Sequence, residues 1–286
     1  PPASIDAVLL THAHVDHCGY LPRLVAGGFR GPVFCTPVTA EIAHVVLLDS
    51  ARLQDEDAAL KRKRHEREGR VDPHPPAPLY TSADVEAAVA LMHPVAYGVR
   101  CEPAADISAV FHDAGHILGS ASISVTCMEA GNSRTVLFSG DIGRQDRPFL
   151  NDPKPGAKAD YVVVESTYGD RLHDEQGGID ARLADIINAT RARGGNVVIP
   201  SFAVERAQEI LFYLNRLLRA DRIPHLRVFF DSPMAASITE IFKKHPEIQD
   251  VETRRSIAEG HSPFDLPGLT TVKTSDESKT INHIKG

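Results

Sequence analysis

The sequence predicts an α/β protein, and two features of the chain predict it. Short apolar strands, separated by Gly, Asn, Asp and Pro, fill much of residues 105–167, and helices alternate with strands beyond residue 180. Such alternation is typical of a parallel sheet that carries helices on its faces. The chain has 286 residues, enough for two moderate domains with a core each. We therefore expect one domain over residues 1–179 and a second over residues 180–286.

The first part of the chain is predicted to open with a buried strand over residues 5–10 (IDAVLL). Residues 36–69 have Pro37 near a helix start and helical spacing of apolar residues, so they form one long helix or a broken pair. A proline-rich connector follows at residues 71–80, and Ser82 is then expected to cap a short helix.

The second part of the chain alternates between strand and helix patterns. Predicted strands cover residues 107–115, 121–130, 135–141, 161–167, 196–200 and 226–232. Predicted helices cover residues 179–195, 201–221 and 233–245. The periodicity beyond residue 251 is too weak to predict an element.

Composition and charge narrow the function classes. No apolar run approaches the roughly 20 residues that span a bilayer, so we expect no membrane partner. The formal charge of −7 argues against a basic coat for loose nucleic-acid binding, although a local groove or bound metal ions would still attract phosphates. The run KRKRHERE at 61–68 would suit a contact with RNA, but a solvated helix end is the favoured interpretation. The four cysteines show no C-x-x-C spacing and the first residues carry no basic signal region, which indicates a reduced, cytoplasmic location.

Residues 9–19 (LLTHAHVDHCG) concentrate metal-ligating side chains directly after the first predicted strand. In an extended segment His12 and His14 project to the same side, while Asp16 and His17, at the start of the next turn, reach a second point nearby. A lone histidine is most often a core or surface residue, but four ligand-type residues at this spacing indicate metal binding. One short loop is therefore expected to serve two metal ions.

Two metal ions need further ligands, and two candidates follow strand patterns. His116 stands between Gly115 and Gly119, which let the backbone approach a site closely; the alternative is a turn histidine. His112 is a local competitor that we rank lower, because the glycines bracket His116. Asp141 follows a strand and a glycine, where a carboxylate projects from the sheet edge and can bridge two ions; the alternative is a turn aspartate.

Four further polar residues are candidates for orienting a ligand or binding a substrate. Glu165 ends an apolar strand, where a carboxylate is costly unless it pairs with a histidine, a cation or a metal-bound water, so we expect it to orient a ligand. Ser201 and Ser232 lie at strand ends before predicted helices, which suits phosphate binding, although helix capping explains Ser201 equally well. Arg206 is predicted either to clamp a phosphate or to pair with Glu209.

These motifs together resemble a known family. The histidine motif of residues 12–17, followed in order by His116, Asp141 and Glu165, resembles the metallo-β-lactamase superfamily. The segments ESTYGDR, PSFAVERAQEIL and FFDSPMA resemble its β-CASP branch of RNA-processing nucleases, in particular the bacterial and archaeal relatives of the mRNA 3′-end cleavage endonuclease. The resemblance implies an αββα sandwich that is interrupted after about residue 180 by a β-CASP insertion, with substrate entering between the two domains.

The resemblance also implies a site with two Zn²⁺ ions around a shared carboxylate. The implied ligands are His12, His14 and His116 for one Zn²⁺, Asp16 and His17 for the other, and Asp141 between them. Asp16 and Glu165 are then the expected catalytic residues, Asp16 to orient an attacking hydroxide and Glu165 to orient a ligand. Ser201, Arg206 and Ser232 are the expected substrate-binding residues.

The leading hypothesis is zinc-dependent hydrolysis of phosphodiester bonds in single-stranded RNA. The alternatives are a hydrolase of a small ester, thioester or lactone, and an inactive scaffold of an RNA-processing complex. Compared with the family pattern, the chain opens almost at the histidine motif and ends before two downstream histidines, so we expect a fragment that lacks both ends. A homodimer is compatible with the sequence.

Overall fold

The computed structural model describes residues 1–70, 73–154, 156, 158–172 and 178–284. These residues form two compact units, and each mixes helices with strands, which confirms the α/β prediction. Unit 1 comprises Pro1–Gln145 and Asp152–Glu165, and unit 2 comprises Asp146–Asn151 and Ser166–Gly286. The domain boundary expected at residues 179 and 180 stays a prediction.

Unit 1 contains two sheets. The first is parallel, has the strand order β1-β2-β3, and consists of β1 (Val8–Leu9), β2 (Val33–Cys35) and β3 (Met92–Pro94). The second has the order β4-β5-β6-β7-β8 and consists of β4 (Arg100–Ala104), β5 (Ile107–Asp113), β6 (Ala121–Glu129), β7 (Asn132–Phe138) and β8 (Tyr161–Val163). Its strands pair antiparallel, except that β8 pairs parallel with β7.

The two sheets of unit 1 share an apolar core. Phe111 on β5 and Ile123 on β6 are at most 2% exposed, and Leu9 and Phe34 of the first sheet pack against the same cluster. Burial of such a side chain contributes roughly 1.5–3 kcal/mol to folding, so this contact fixes the sheets face to face. A hydrogen bond from the Ala121 N–H to the carbonyl of Thr11 (2.8 Å) then joins the start of β6 to the segment after β1.

The helices of unit 1 are α1 (Val15–Cys18), α2 (Leu21–Ala26), α3 (Pro37–Arg67) and α4 (Ser82–Val89). The 31 residues of α3 are continuous, which confirms the alternative of one long helix. Thr36 caps α3 by accepting a hydrogen bond from the Thr39 N–H (3.2 Å). The cap predicted at Ser82 is wrong: Thr81 caps α4, because Asp84 three residues later completes a reciprocal capping box.

Unit 2 packs helices against a short parallel sheet. Its elements are α5 (Ile179–Ala192), α6 (Arg206–Arg219), β9 (Val228–Phe230), α7 (Pro233–Lys244), α8 (Val251–Ala258), β10 (Leu269–Thr271) and α9 (Ser275–Ile281). Strand β10 pairs parallel with β9, and buried residues of α5 and α6 such as Ile187 and Leu211 form the core. Phe149 adds a second apolar contact: its ring lies 5.4–5.9 Å from the rings of Phe212, Phe242 and Phe264.

Several sequence predictions of strands and helices are wrong. The strand predicted at residues 5–10 is only two residues long, and Ile5 is 40% exposed. Residues 196–200 form no strand, because their backbone groups are not paired with another strand among the described residues. Val198 is 85% exposed. The helix predicted from Ser201 begins at Arg206 instead, since Glu205 has a φ of +70° that a right-handed helix cannot accommodate.

Strand β8 differs from its prediction in burial, although it forms where a strand was expected. Its side chains are 53–62% exposed, because β8 is an edge strand that pairs only with β7 among the described residues. Elements that the sequence did not predict are α1, α2, β2, β3, β4, α8, β10 and α9. None of the helices in the described part of the chain combines the length and the apolar composition needed to cross a membrane.

Candidate metal centre

The histidine motif begins where β1 ends and is shaped by a change from extended to helical backbone. His14 is the extended N-cap of α1, with φ −65° and ψ 145°, so the segment before it is not helical. The following residues Asp16 and His17 lie in the single turn of α1. His12 is fully buried, whereas the Asp16 side chain is 74% exposed. The motif therefore presents a buried imidazole and an exposed carboxylate from one short stretch of chain.

Three histidines and one aspartate converge on one point. The Nδ1 atom of His14 lies 3.1 Å from Nε2 of His12 and 3.1 Å from Nε2 of His116. The Oδ2 atom of Asp141 lies 3.8 Å from Nε2 of His12 and 3.4 Å from Nε2 of His116. Together these four residues place one ligand atom each within 4.8 Å of one another.

The spacing of these donor atoms fits a tetrahedral metal site. Four donors with bonds of about 2.0–2.1 Å to one ion lie about 3.4 Å apart, and the distances given above scatter around that value. Three imidazole nitrogens and a carboxylate oxygen are also a typical donor set for a divalent metal ion. The residues present therefore fit the metal that the histidine motif predicts.

His17 lies beside this set and faces the other carboxylate oxygen of Asp141, and Asp16 lies next to His17. His17 Nε2 lies 3.3 Å from Oδ1 of Asp141 and 3.6 Å from Oδ2 of Asp16. Asp141 thus turns one oxygen toward His12 and His116 and the other toward His17. This is the arrangement that a carboxylate shared by two ions requires.

Electrostatics keep the histidines in the form that binds a metal. Burial, followed by the neighbouring His17, His14 and His116, lowers the pKa of His12 to about 2. Burial also lowers the pKa of His14, and it raises the pKa of Asp141. At neutral pH the imidazoles of His12 and His14 are therefore unprotonated, and their lone pairs are available to a ligand.

The loop that carries His116 is held by hydroxyl groups. Ser120 Oγ accepts hydrogen bonds from the N–H groups of His116 (3.0 Å) and Ile117 (3.2 Å). The hydroxyls of Thr36 and Thr39, at the start of α3, both donate to the carbonyl of Gly119 (2.7 and 2.8 Å). Gly119 has a φ of +85°, and a Cβ there would lie 2.9 Å from the Thr39 nitrogen. Only glycine allows α3 to approach this loop so closely.

The loop that carries Asp141 is held by Glu165. One carboxylate oxygen of Glu165 accepts a hydrogen bond from the Ile142 N–H (2.7 Å), and the Glu165 N–H donates to Ser139 Oγ (3.0 Å). The segment after β8 is thereby joined to the chain on both sides of Asp141. The prediction that Glu165 orients a ligand by pairing with a histidine, a cation or a metal-bound water stays a prediction, and one contact of its carboxylate is to the backbone N–H of Ile142.

The competitor histidine lies elsewhere. His112 Nε2 is 3.0 Å from Ser124 Oγ on the neighbouring strand, and His112 is not part of the converging set. Sequence reasoning missed the hydroxyl groups of Thr36, Thr39, Ser120 and Ser139. The one signal for them is that Ser120 and Ser139 stand next to the glycines of the two ligand loops.

Comparison with known families decides the classification. Residues 1–200 match the model of the β-lactamase superfamily domain, and residues 207–286 match the model of the β-CASP domain.

The chain belongs to the β-CASP family of the metallo-β-lactamase superfamily.

Individual β-CASP relatives include bacterial and archaeal proteins. Ribonuclease TTHA0252 of Thermus thermophilus is 35% identical over 285 residues, which are 100% of this chain and 60% of that protein. The transcription termination factor FttA of Methanosarcina mazei is 35% identical over 270 residues, 92% of this chain and 39% of that protein. The FttA of Lokiarchaeum is 30% identical over 282 residues, 97% of this chain and 41% of that protein. The chain therefore spans between 39% and 60% of the length of these relatives.

The three residues predicted to bind substrate all lie in unit 2, and their hydroxyl and guanidinium groups have contacts of their own. Ser201 is exposed, and its hydroxyl donates to the carbonyl of Phe202 (3.1 Å). Ser232 caps α7 by accepting from the Ala235 N–H (3.1 Å). Arg206 pairs with Glu209 at 2.6 Å, which is one of the two predicted alternatives.

Proposed function

We propose that this β-CASP chain supplies the catalytic centre of a zinc-dependent ribonuclease that hydrolyses phosphodiester bonds in single-stranded RNA. The observation that carries the proposal is the convergence of three imidazole nitrogens and one carboxylate oxygen within 4.8 Å. One relative is named a ribonuclease, and two are named transcription termination factors. RNA is the polymer that both kinds of name suggest, so single-stranded RNA is the substrate we propose.

The donor geometry supports two Zn²⁺ ions. His12, His14 and His116 would hold one ion, Asp16 and His17 would hold the other, and Asp141 would contribute one oxygen to each. When bound, the metal pair would supply a hydroxide-strength nucleophile at neutral pH and neutralise negative charge on the phosphoryl group. The contribution of the chain is to keep these imidazoles neutral through burial and to fix the shared carboxylate.

Asp16 and Glu165 are proposed to play different parts. The Asp16 carboxylate is exposed and lies 3.6 Å from His17, so it can accept a hydrogen bond from the attacking water and orient it. Glu165 acts through the backbone of Ile142 and fixes the loop of Asp141, so it is a positioning residue. Ser201, Arg206 and Ser232 are proposed as phosphate contacts, and the 52% exposure of the Arg206 side chain supports this role best for Arg206. We also propose a cytoplasmic location, in keeping with four cysteines that are all unpaired.

The experiment is cleavage of an end-labelled single-stranded RNA by the wild-type protein and by Asp16→Ala, with metal content measured on both. Asp55→Ala removes an exposed carboxylate elsewhere in unit 1 and is the matched control. We expect cuts with the wild type and with Asp55→Ala that disappear with Asp16→Ala. RNA that stays intact although the wild type holds two zinc ions would overturn the proposal, and turnover of small esters instead of RNA would favour the small-molecule hydrolase.

A further inference from the structure

The C-terminal end of α3 is positively charged, whereas the whole chain has a net negative charge. Residues 61–70 contain six basic side chains, Lys61, Arg62, Lys63, Arg64, Arg67 and Arg70. Only two acidic side chains, Glu66 and Glu68, lie in the same stretch, so it carries an excess of four positive charges in a chain of net charge −7. We call residues 61–70 the basic tip. A local concentration of positive charge on an acidic protein creates a field that attracts polyanions.

Only some of these basic side chains form ion pairs with carboxylates of unit 1. Lys61 pairs with Asp57 (2.6 Å), and Glu68 accepts from both Arg64 (2.9 Å) and Arg70 (3.0 Å). Among the described residues, no carboxylate lies within ion-pair distance of Lys63 or Arg67, and both side chains are exposed. Because these two residues are four apart on a helix, they project from the same face. Lys63 and Arg67 thus form a pair of accessible positive charges on one side of the helix.

The basic tip is held in place by residues 76–80, which contact α3 at several points along its length. The Arg62 guanidinium donates to the carbonyl of Pro76 (2.7 Å), and the Leu79 N–H donates to Gln54 (2.8 Å). The hydroxyl of Tyr80, a residue only 2% exposed, donates to Ser50 (2.8 Å). These contacts tie the far end of the helix to its middle, so the charges sit on a supported surface.

The length of α3 separates the basic tip from the end of the helix that contacts the His116 loop. The N-terminal end of α3 contacts the His116 loop, because the hydroxyls of Thr36 and Thr39 donate hydrogen bonds to the carbonyl of Gly119. Lys63 and Arg67 follow Thr36 by about 27 to 31 residues, which corresponds to roughly 40–46 Å of helix. A stacked single strand with 3.4 Å per nucleotide needs about 12 nucleotides to cover that distance.

We propose that the basic tip, with Lys63 and Arg67 as its accessible cations, is a second contact for the phosphate backbone of single-stranded RNA, at the end of α3 opposite to the end that contacts the His116 loop. This inference rests on the proposed function, since it takes RNA as the substrate. The contact is electrostatic and reads no sequence, because lysine and arginine on an exposed helix face meet phosphates rather than base edges. It gives affinity to RNA that is long enough to reach both places, and none to a short oligonucleotide bound at the metal centre alone.

The experiment measures the dissociation constants of a labelled RNA of about 24 nucleotides and of one of about 5 nucleotides at several salt concentrations. The test variant is Lys63→Glu/Arg67→Glu. Lys63→Arg/Arg67→Lys keeps the charge and is the matched control, and Arg191→Glu/Arg193→Glu makes the same change of charge in unit 2. Circular dichroism confirms that each variant is folded.

Loss of two phosphate contacts is expected to weaken binding of the long RNA about 25-fold at 0.1 M salt and to make the negative slope of log K against log salt shallower by about 1.4. Binding of the short RNA, and the cleavage rate at saturating RNA, are expected to stay unchanged. Equal affinity and equal slope for the wild type and Lys63→Glu/Arg67→Glu would overturn the proposal, as would an equal loss with the unit 2 variant. Because binding is measured separately from cleavage, RNA that binds without being cut contradicts the proposed function and still tests the basic tip.

Discussion

The carboxylate of Glu165 accepts a hydrogen bond from the N–H of Ile142 at 2.7 Å, and Ile142 directly follows Asp141 of the converging set. Glu165 also contributes to the raised pKa of Asp141, after the larger effect of burial. The Glu165 carboxylate therefore acts on Asp141 in two ways, through the backbone N–H of the neighbouring Ile142 and through its negative charge.

Glu165→Ala is expected to weaken metal binding about 10- to 100-fold, the usual effect of losing a group that orients a ligand. Glu165→Gln keeps an oxygen that can accept from Ile142 and should recover part of the affinity. Competition with a chromophoric chelator measures both. Glu129→Ala, an exposed glutamate at the end of β6, should bind metal like the wild type; equal affinities for all four proteins would show that the Ile142 contact does not matter.

His116→Ala is expected to abolish binding of one metal ion, whereas His112→Ala should leave the metal content unchanged. The reason is that His116 lies in the converging set and His112 is bonded to Ser124 on the adjacent strand. Metal analysis of the two purified variants checks this. Because the two histidines are four residues apart, each variant controls for the loss of an imidazole near the other, and metal loss in His112→Ala would contradict the site.

The metal-free protein is expected to lose stability as the pH falls below 6.5. The pKa of His12 is about 2 in the folded chain and 6.5 in the unfolded chain, so between these values the unfolded chain binds the extra proton. At pH 5 this lowers the free energy of unfolding by about 2 kcal/mol relative to pH 7. Urea unfolding with a chelator present measures the difference, and His12→Gln, which has no titrating ring, should show a loss smaller by that amount.

Gly119→Ala is expected to destabilise unit 1 and to lower metal affinity. Alanine at a positive φ costs about 1–2 kcal/mol, and the added Cβ would also lie 2.9 Å from the Thr39 nitrogen. Gly131→Ala separates the two effects, because Gly131 has a φ of +81° and open space around its Cβ position. Thermal unfolding and metal titration of both variants are the measurements. Equal behaviour of the two would mean that the contact with α3 is unimportant.

Phe149→Ala is expected to destabilise unit 2 by about 3–5 kcal/mol, because it removes a ring that is 1% exposed and contacts three other phenylalanines. Phe202→Ala removes a ring that is 83% exposed and should change stability by less than about 0.5 kcal/mol. Urea unfolding followed by circular dichroism compares them. A midpoint for Phe149→Ala that equals that of Phe202→Ala would rule out the aromatic cluster as a source of stability.

Sequence reasoning worked best where the information is local. His12, His14, Asp16 and His17 stand within six residues, and the two that join the converging set, His12 and His14, are the ones that an extended segment projects to the same side. His116 was separable from His112 only through its flanking glycines, and the structure shows the reason at Gly119, where a side chain would collide with α3.

The remaining features depend on partners that are distant in the sequence. Residues 196–200 have a strand composition, but a strand needs a neighbour with which to exchange hydrogen bonds. The burial expected for β8 likewise depends on which elements pack against an edge strand, and the composition of the strand does not reveal them. The hydroxyl groups of Thr36 and Thr39 support a loop 80 residues away or more, and no local pattern marks them for that role.

The ligand set is divided between the beginning of unit 1 and its later part, and this division orders events during protein synthesis. Asp141 is made 129 residues after His12, which at about 5–20 residues per second corresponds to roughly 6–26 s of translation. During that interval the nascent chain carries His12, His14 and His17 without the carboxylate that completes the site. Stable metal binding therefore requires that the ribosome has passed Asp141. The ion then joins two stretches of chain that were synthesised many seconds apart.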